Sequence, residues 1–300
     1  MKTSPLISVI LPVFNGVETL HESITSILHQ SYRKFELIII NDGSIDDSLK
    51  LINGFQDSRI VVINQNNQGL AKSLNTAIKE SSGELIARQD QDDISVSERF
   101  EIQVREFLTN DGLILLGSNG IKINKDGKEI GTMKLPTKSN DLKFFLNFYN
   151  PFIHSSVMMK SETVKLAGLY SELRSEQPPE DFELWNRMKN FGEIKNLNLA
   201  LVKYRITENS MSTVFAPEID LNYEKKVVEL LNTNFGISKA HGASIFNVFF
   251  RSKSKISVGK RFKLLKIFVL KMHRFFSSEK YISKKSLMFI IKNSVKIMFK

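Results

Sequence analysis

The stretch LISVILPVFNGVETLHESITSILHQSYRKFELIIIND, residues 6–42, decides what kind of chain this is. LISVILPVF is an apolar run of strand type. GVETLHESITSILHQ places Val17, Leu20, Ile24, Ile27 and Leu28 at helical spacing. FELIII is a second strand. A strand that returns through a helix to another strand makes a right-handed crossover, and the two strands run parallel.

The alternation continues outward. SIDDSLKLINGF opens with helix-capping residues and reads as a helix. RIVVIN is a third strand, GLAKSLNTAIKE a third helix and GELIARQ a fourth strand. SVSERFEIQVREFL is a helix with Phe100, Val104, Phe107 and Leu108 on one face, and Ser95 just before it can cap it. The class is α/β, a Rossmann-like, mostly parallel sheet flanked by helices. LILLGSNGIKINKDGKEIGTM predicts two strands around a KDGK hairpin. KSNDLKFFLNF is a helix, HSSVMMK a strand, SETVKLAGLY a short helix, LRSEQPPE a polar loop, EDFELWNRMKNFG a helix and EIKNLNLALVKYRI a strand. Beyond about Ser210 helices dominate.

The chain of 300 residues carries 42 Lys+Arg against 32 Asp+Glu, a formal net charge of +10. The excess is local. Residues 237–300 hold 16 Lys+Arg and one acid, Glu279, which leaves 26 basic and 31 acidic residues in 1–236. There is no cysteine, hence no disulfide and no thiolate metal site. No apolar run approaches the ~18 residues of a membrane span. The opening MKTSPLISVILPVFNG reads as a first buried strand rather than a signal peptide. Neither G-x-x-x-x-G-K-[ST] nor G-x-G-x-x-G follows a strand, which argues against a P-loop ATPase and a hydride-transfer enzyme. H-E-x-x-H and G-x-S-x-G are also missing.

In open α/β sheets ligands bind beyond the carboxyl ends of the strands. Asp90, Asp92 and Asp93 gather at that end of strand four, Asp42 at that end of strand two, and Asn15 follows strand one. Clustered carboxylates repel, and Mg²⁺ or Mn²⁺ removes the repulsion while leaving sites for phosphate oxygens. The plainer alternative is an acid-rich helix start favoured by the dipole. An EF-hand is disfavoured, because Ser95 stands where its glycine belongs. Asp42 suits either turn chemistry or a hydrogen bond to a base or ribose. Glu180 and Asp181 follow two prolines at a helix start. They are either dipole-favoured acids or a carboxylate beside a substrate hydroxyl. Trp185, one turn on, is either core or a platform for a sugar ring. His154 is a lone histidine near these residues.

Eight stretches in this order resemble the inverting glycosyltransferases of family 2, which have the GT-A fold. They are SVILPVFNG (8–16), FELIIINDGSIDDS (35–48), NNQGLAKSLNTAI (66–78), GELIARQDQDDIS (83–95), SERFEIQ (97–103), NPFIHSSVMMK (150–160), PPEDFELWNRM (178–188) and LVKYRITENSMS (201–212). The resemblance implies a GT-A domain over 1–212, with a nucleotide-sugar half at 1–110 and an acceptor half at 111–212. It implies a nucleotide-sugar donor, of UDP-sugar type, whose base meets Asp42 with Pro12, Val13 and Asn15 lining the pocket. Asp90 is implied on the ribose and diphosphate side, Asp92 as the ligand of a divalent metal (Mg²⁺ or Mn²⁺), and Asp93 as its support. Asp181 is implied as catalytic base, with Glu180 near the acceptor and Arg205 facing the diphosphate. One position departs from the pattern: Leu74 stands where many members carry an arginine, and Arg88 or Lys72 are the cations left to replace it. The implied reaction moves a sugar to a hydroxyl of a glycan or lipid-linked acceptor in surface polysaccharide (capsule or O-antigen) synthesis. A non-catalytic nucleotide-sugar or glycan-binding protein on the same fold is the alternative. A nucleotidyltransferase is disfavoured, because no glycine- and arginine-rich loop follows strand one.

Residues 213–300 form a helical basic extension. On a helix, Phe262, Leu265, Val269, Met272 and Phe276 of GKRFKLLKIFVLKMHRFF fall on one side. Lys260, Lys263, Lys266, Lys271 and Arg274 fall mostly on the other. KKSLMFIIKNSVKIMFK repeats the composition. Such helices suit an anionic membrane surface, more than a nucleic acid or a merely solvated face. The expected location is cytoplasmic, at the inner face of the cell membrane.

Overall fold

The computed structural model describes residues 4–173, 179–207, 216–250, 258–278 and 283–299. In chain order these form β1 (Ile7–Val13), α1 (Val17–Leu28), β2 (Phe35–Asp42), α2 (Ser48–Asn53), β3 (Ile60–Gln65), α3 (Leu70–Lys79), β4 (Leu85–Arg88), β5 (Ile94–Ser95), α4 (Arg99–Thr109), β6 (Leu113–Ile123), β7 (Glu129–Met133) and α5 (Ser139–Phe145). A 3₁₀ turn (His154–Ser156), β8 (Met158–Lys160), α6 (Ser161–Leu166), α7 (Glu180–Met188) and β9 (Glu193–Arg205) follow. The chain then runs through α8 (Ala216–Phe235), α9 (Lys239–Phe250), α10 (Val258–Ser278) and α11 (Lys284–Phe299).

One sheet in the order β3-β2-β1-β4-β8-β6-β9-β5 organises the molecule, with β7 added on β6. The first four strands are parallel, as their helical crossovers require. β8 runs antiparallel to both of its neighbours, β4 and β6. All seven residues of β1 are buried, because helices cover both faces, and this is why its sequence is continuously apolar. Its side chains alternate between two cores: Ile10 joins the one under α3, α5 and α7, whereas Ile7, Val9 and Leu11 join the one under α1 and α4. The two cores are therefore the two faces of one sheet, and each draws residues from both sides of position 110.

Three local readings are corrected. Residues 154–156, expected as strand, make a 3₁₀ turn, and only Met158–Lys160 pair. Ser95 does not cap α4. It pairs with Val202 in the two-residue strand β5, and Glu98 takes the N-cap position. A strand that short has too few residues for a periodic signal. The third correction concerns the basic extension. On α10 the buried stripe is Leu264, Phe268 and Met272, while Phe262, Val269 and Leu270 are exposed. Met272 thus belongs to the core side, and the side chains of Arg274 and Phe276 lie outside the described residues. The 208–212 end of the family-like stretch, the boundary at 212 and residues 174–178 of the polar loop also lie outside them.

The helices after 216 share the core of the sheet domain. Phe289 of α11 meets the rings of Phe144, Phe145 and Phe148, with centroids 5.0–6.0 Å away. The buried carboxylate of Asp141 on α5 accepts hydrogen bonds from the hydroxyls of Ser283 and Ser286 at the start of α11.

Candidate active site

The acidic loop after β4 is built from below. Register with β1 carries Arg88 opposite Ile10, and the next amide, Gln89, donates to the Ile10 carbonyl. The Gln89 side chain donates to the Ser23 hydroxyl and the Asp93 carbonyl, and accepts from Ser95 and Arg99. Arg99 is fully buried, and its guanidinium also donates to the carbonyls of Arg88 and Val157. Burial lowers its pKa to about 9, partly opposed by the charge of Asp93. From α1, Ser23 and Thr19, one turn apart, donate to the carbonyls of Asp90 and Gln91. Gln91 in turn bonds the Phe14 backbone through both its amide atoms. Gly16 allows this, since a Cβ there would lie 2.6 Å from the Gln91 amide oxygen. None of Gln89, Arg99 or Gln103 was assigned a role from sequence. The available signal was polar residues four apart, Arg99 and Gln103, on the buried side of an amphipathic helix.

The three aspartates then separate by role. Asp93 is buried and lies under the loop, where it accepts from the Arg205 amide at 2.8 Å and from the Ser155 hydroxyl. Burial, with the charges of Asp90 and Asp92, raises its pKa well above the usual range. Asp90 accepts from Arg88 at 2.5 Å. Asp92 is half-buried, and among the described residues no side-chain hydrogen bond or ion pair holds its carboxylate. Desolvation first, and the Asp90 charge second, push its pKa to about 6.

Those residues fit a divalent cation. Among the described residues no three carboxylates or imidazoles form a protein cage. Mg²⁺ and Mn²⁺ sites do without one, using one or two carboxylates together with substrate phosphates and water. A desolvated carboxylate that no side chain among the described residues holds, raised by a like charge beside it, is a donor that a cation would relieve.

Asp42 is buried at the end of β2. Its two oxygens accept from the Gln65 amide group and from the backbone amides of Gln68 and Gly69, at 2.7–2.9 Å. Gly69 presents its amide from φ +90, a conformation that favours glycine. Three of about four lone-pair positions on the carboxylate are thereby used within the protein, leaving room for one more donor. Pro12 and Val13 are buried at the end of β1. Asn15 is exposed with φ 50, accepts from the Ile45 amide on its side-chain oxygen and donates its own backbone amide to the Ser44 hydroxyl.

At α7, Asp181 accepts from the Phe182 amide through one oxygen and from the Asn150 side chain through the other, each at 2.6 Å. Desolvation outweighs these bonds and raises its pKa to about 6. Glu180 is buried beside it and rises to about 8, by desolvation and then by the Asp181 charge. Two adjacent buried carboxyls cannot easily both ionise, so the pair shares a proton near neutral pH. His154 lies 3.7 Å from Glu180, and its other ring nitrogen is 2.8 Å from the Tyr170 hydroxyl. Burial, then the Arg88 charge, drives the His154 pKa well down, so the ring is neutral.

The charges of Arg88 and Asp90 act on Asp92, Glu180 and Asp181 alike. Carboxylates 90 residues apart in sequence therefore share one electrostatic neighbourhood around a buried guanidinium. Leu74 is fully buried in the core, and Lys72 is exposed, so Arg88 is the cation placed among these acids.

The structure takes the core alternative for Trp185 and corrects the implied place of Arg205. Trp185 is fully buried, with its ring 6.0–6.4 Å from those of Phe152, His154 and Tyr170, and offers no face to a sugar. Arg205 does not face a diphosphate. Its guanidinium donates to the carbonyls of Asp92, Asn124 and Lys125 and to Glu22 at 2.5 Å. An arginine with its donors so engaged holds the acidic loop against β9.

A solved structure of S. aureus TarS residues 1–349 in complex with UDP-GlcNAc aligns with a TM-score of 0.59, 17% sequence identity, and coverage of 97% of this chain and 88% of that one. The architecture is the GT-A fold. The family model "Glycosyl transferase family 2" matches residues 8–163, and the chain belongs to that family. Among curated relatives, the putative glycosyltransferase EpsE of Bacillus subtilis is 33% identical over 224 residues, covering 70% of this chain and 76% of EpsE. The Escherichia coli protein WfgD, a UDP-Glc:alpha-D-GlcNAc-diphosphoundecaprenol beta-1,3-glucosyltransferase, is 28% identical over 228 residues, covering 69% of this chain and 80% of WfgD.

Proposed function

We propose that the protein is an inverting, metal-dependent glycosyltransferase that moves a sugar from a UDP-sugar to a hydroxyl of a lipid-linked glycan during bacterial surface polysaccharide synthesis. The convergence of the Asp90–Asp92 and Glu180–Asp181 pairs on Arg88 carries this reading, because it sets a charge-binding end beside a proton-accepting end. Asp42 and the β1 edge receive the nucleoside. Asp92, with Asp90 beside it, would hold the cation, which when bound supplies positive charge to the diphosphate. Asp181 takes the proton of the acceptor hydroxyl. The oxygen attacks the anomeric carbon from the far face, and the carbon–oxygen bond to the diphosphate breaks with its electron pair leaving on the nucleoside diphosphate. Configuration inverts in one displacement. Glu180, buried against Asp181, shares the pair's proton, so that only one of the two carries charge, and can donate to the acceptor. The UDP-GlcNAc complex of TarS and the diphosphoundecaprenol acceptor in WfgD's name support the donor and acceptor classes. A panel of nucleotide sugars, each with Mn²⁺ or with chelator, tests the proposal through release of nucleoside diphosphate. Metal-dependent turnover of one UDP-sugar is the expected result. Tight binding without turnover, with acceptor glycans present, would replace it by the non-catalytic alternative.

Membrane contact extends the proposal to the basic helices. The uncovered face of α10 sets Phe262, Val269 and Leu270 among Lys263 and Lys266. On α11, Leu287, Met288 and Ile291 lie exposed with Lys285 and Lys292. No helix among the described residues is long and apolar enough to cross a membrane. Alternating large apolar groups and lysines suits shallow insertion into an anionic leaflet, at about 1 kcal/mol per cation near the surface. Co-sedimentation with phosphatidylglycerol vesicles at low salt should be strong and should weaken several-fold at 0.5 M salt. Replacing the four lysines by glutamate should abolish it while leaving turnover of a water-soluble acceptor unchanged. Equal sedimentation of wild type and charge-reversed protein would refute the assignment of this face.

A further inference from the structure

We propose that Asn150 and Tyr223 are positioning residues for Asp181, which makes α8, part of the helical extension, a working piece of the active site. The inference rests on Asp181 acting as the base. It comes from a closed circuit of contacts. The Asn150 side chain donates to one Asp181 oxygen at 2.6 Å, while its own carbonyl oxygen accepts from the Phe152 amide at 3.1 Å. Only one orientation of the amide satisfies both, since a carboxylate can only accept and a backbone N–H can only donate. The Asn150 backbone amide donates to the Tyr223 hydroxyl at 2.9 Å, and that hydroxyl donates to the Phe148 carbonyl at 3.3 Å. The Tyr223 ring stacks on Phe182, with centroids 4.8 Å apart. Phe182 supplies the amide that holds the other Asp181 oxygen at 2.6 Å. One residue of α8 therefore grips both arms of the clamp, the Asn150 loop and the first turn of α7. Lys226, nearly one turn along α8 from Tyr223, reaches Glu183 of α7 at 3.8 Å and reinforces the docking.

The consequence is chemical as well as geometric. A carboxylate held on both oxygens presents its remaining lone pairs in a fixed direction, and loss of one donor frees it to rotate. The Asn150 bond also favours the charged form of Asp181, against desolvation and the Asp90 charge. The other groups acting on Asp181 or acted on by it are Arg88, Glu180, Tyr170 and Tyr223. Burial raises the pKa values of both tyrosines, so they stay neutral across the working range. With Mn²⁺ saturating, which holds Asp92 ionised, the acid limb of the rate profile therefore reports on the Asp181–Glu180 pair.

Asn150→Ala should lower kcat about 10- to 100-fold, the scale of a displaced catalytic group. It should shift the acid limb of the pH–kcat profile upward and leave the donor KM within about twofold. Tyr223→Phe keeps the stack and removes only the hydroxyl; it should move kcat and the limb in the same direction by a smaller amount, and the double variant should be less than additive. Melting curves are recorded for each, and if Asn150→Ala does not fold the Tyr223→Phe profile decides. Wild-type kcat and an unmoved limb in a folded variant, with Asp181→Asn inactive, would overturn the positioning role and leave the base assignment intact. An active Asp181→Asn would instead remove the base assignment itself.

Discussion

Asp181→Asn is expected to lower kcat by about 10²–10⁴-fold, the usual contribution of a positioned general base. Asparagine matches the aspartate in volume but cannot accept a proton from the acceptor at working pH. Its single amide oxygen can accept from Phe182 or from Asn150, not from both, so one hydrogen bond is lost, at about 1 kcal/mol. Against that loss stands the removal of a disfavoured charge. A carboxylate whose pKa is raised on folding, as here to about 6, makes folding less favourable as pH rises from its unfolded value through that point. The two effects oppose each other, and the melting temperature at pH 7 should stay within a few degrees of wild type. The wild-type rate should fall about tenfold per pH unit below about 6, where Asp181 takes up its proton, and any residual rate of the variant should lack that limb. A folded Asp181→Asn enzyme with wild-type turnover would end the base assignment.

Asp92→Ala should be comparably damaging, about 10²–10³-fold in kcat, on the scale of removing one electrostatic stabiliser of a developing charge. The expected partner effect is loss of Mn²⁺ binding in the presence of UDP, measured by electron paramagnetic resonance, which does not depend on turnover. The fold should tolerate the change well. Among the described residues no side-chain bond is made to this carboxylate, and alanine removes its repulsion with Asp90. Asp93, one residue on, is different in kind, since it accepts bonds from both Arg205 and Ser155 and holds β9 and the 3₁₀ turn against the loop. Unchanged Mn²⁺ affinity in Asp92→Ala would move the cation elsewhere and with it the proposed geometry of the donor.

Much of this was legible before any coordinates. Strands β1, β2 and β4 are continuous apolar runs because helices cover both faces, and such runs can be read directly. The positions of Asp42, Asp90, Asp92 and Asp93 just past strand ends followed from where those runs stop. Asp181 was placed at a helix start by the two prolines before it. The letters alone do not place Arg205 or choose between the two alternatives for Trp185, because an arginine or a tryptophan near chemistry has the same letter whether it faces substrate or supports the site from within. Arg205 turns back because four acceptors from other segments surround it, and none of them is near it in sequence.

The order of strands and helices, the parallel half of the sheet and the acidic rim were therefore determined by the sequence itself, because periodicity and chain connectivity are local properties. Three things were decided only by tertiary structure: which stripe of α10 is buried, which partners satisfy Arg99 and Arg205, and that Tyr223 reaches the base through Asn150. α10 carries apolar residues around more than half its circumference, so its pattern permits several core faces. Contact with the Phe144–Phe148 cluster selects Leu264, Phe268 and Met272, leaving Phe262, Val269 and Leu270 outside. Contacts between residues dozens of positions apart leave no periodic trace, and only the packed fold brings them together.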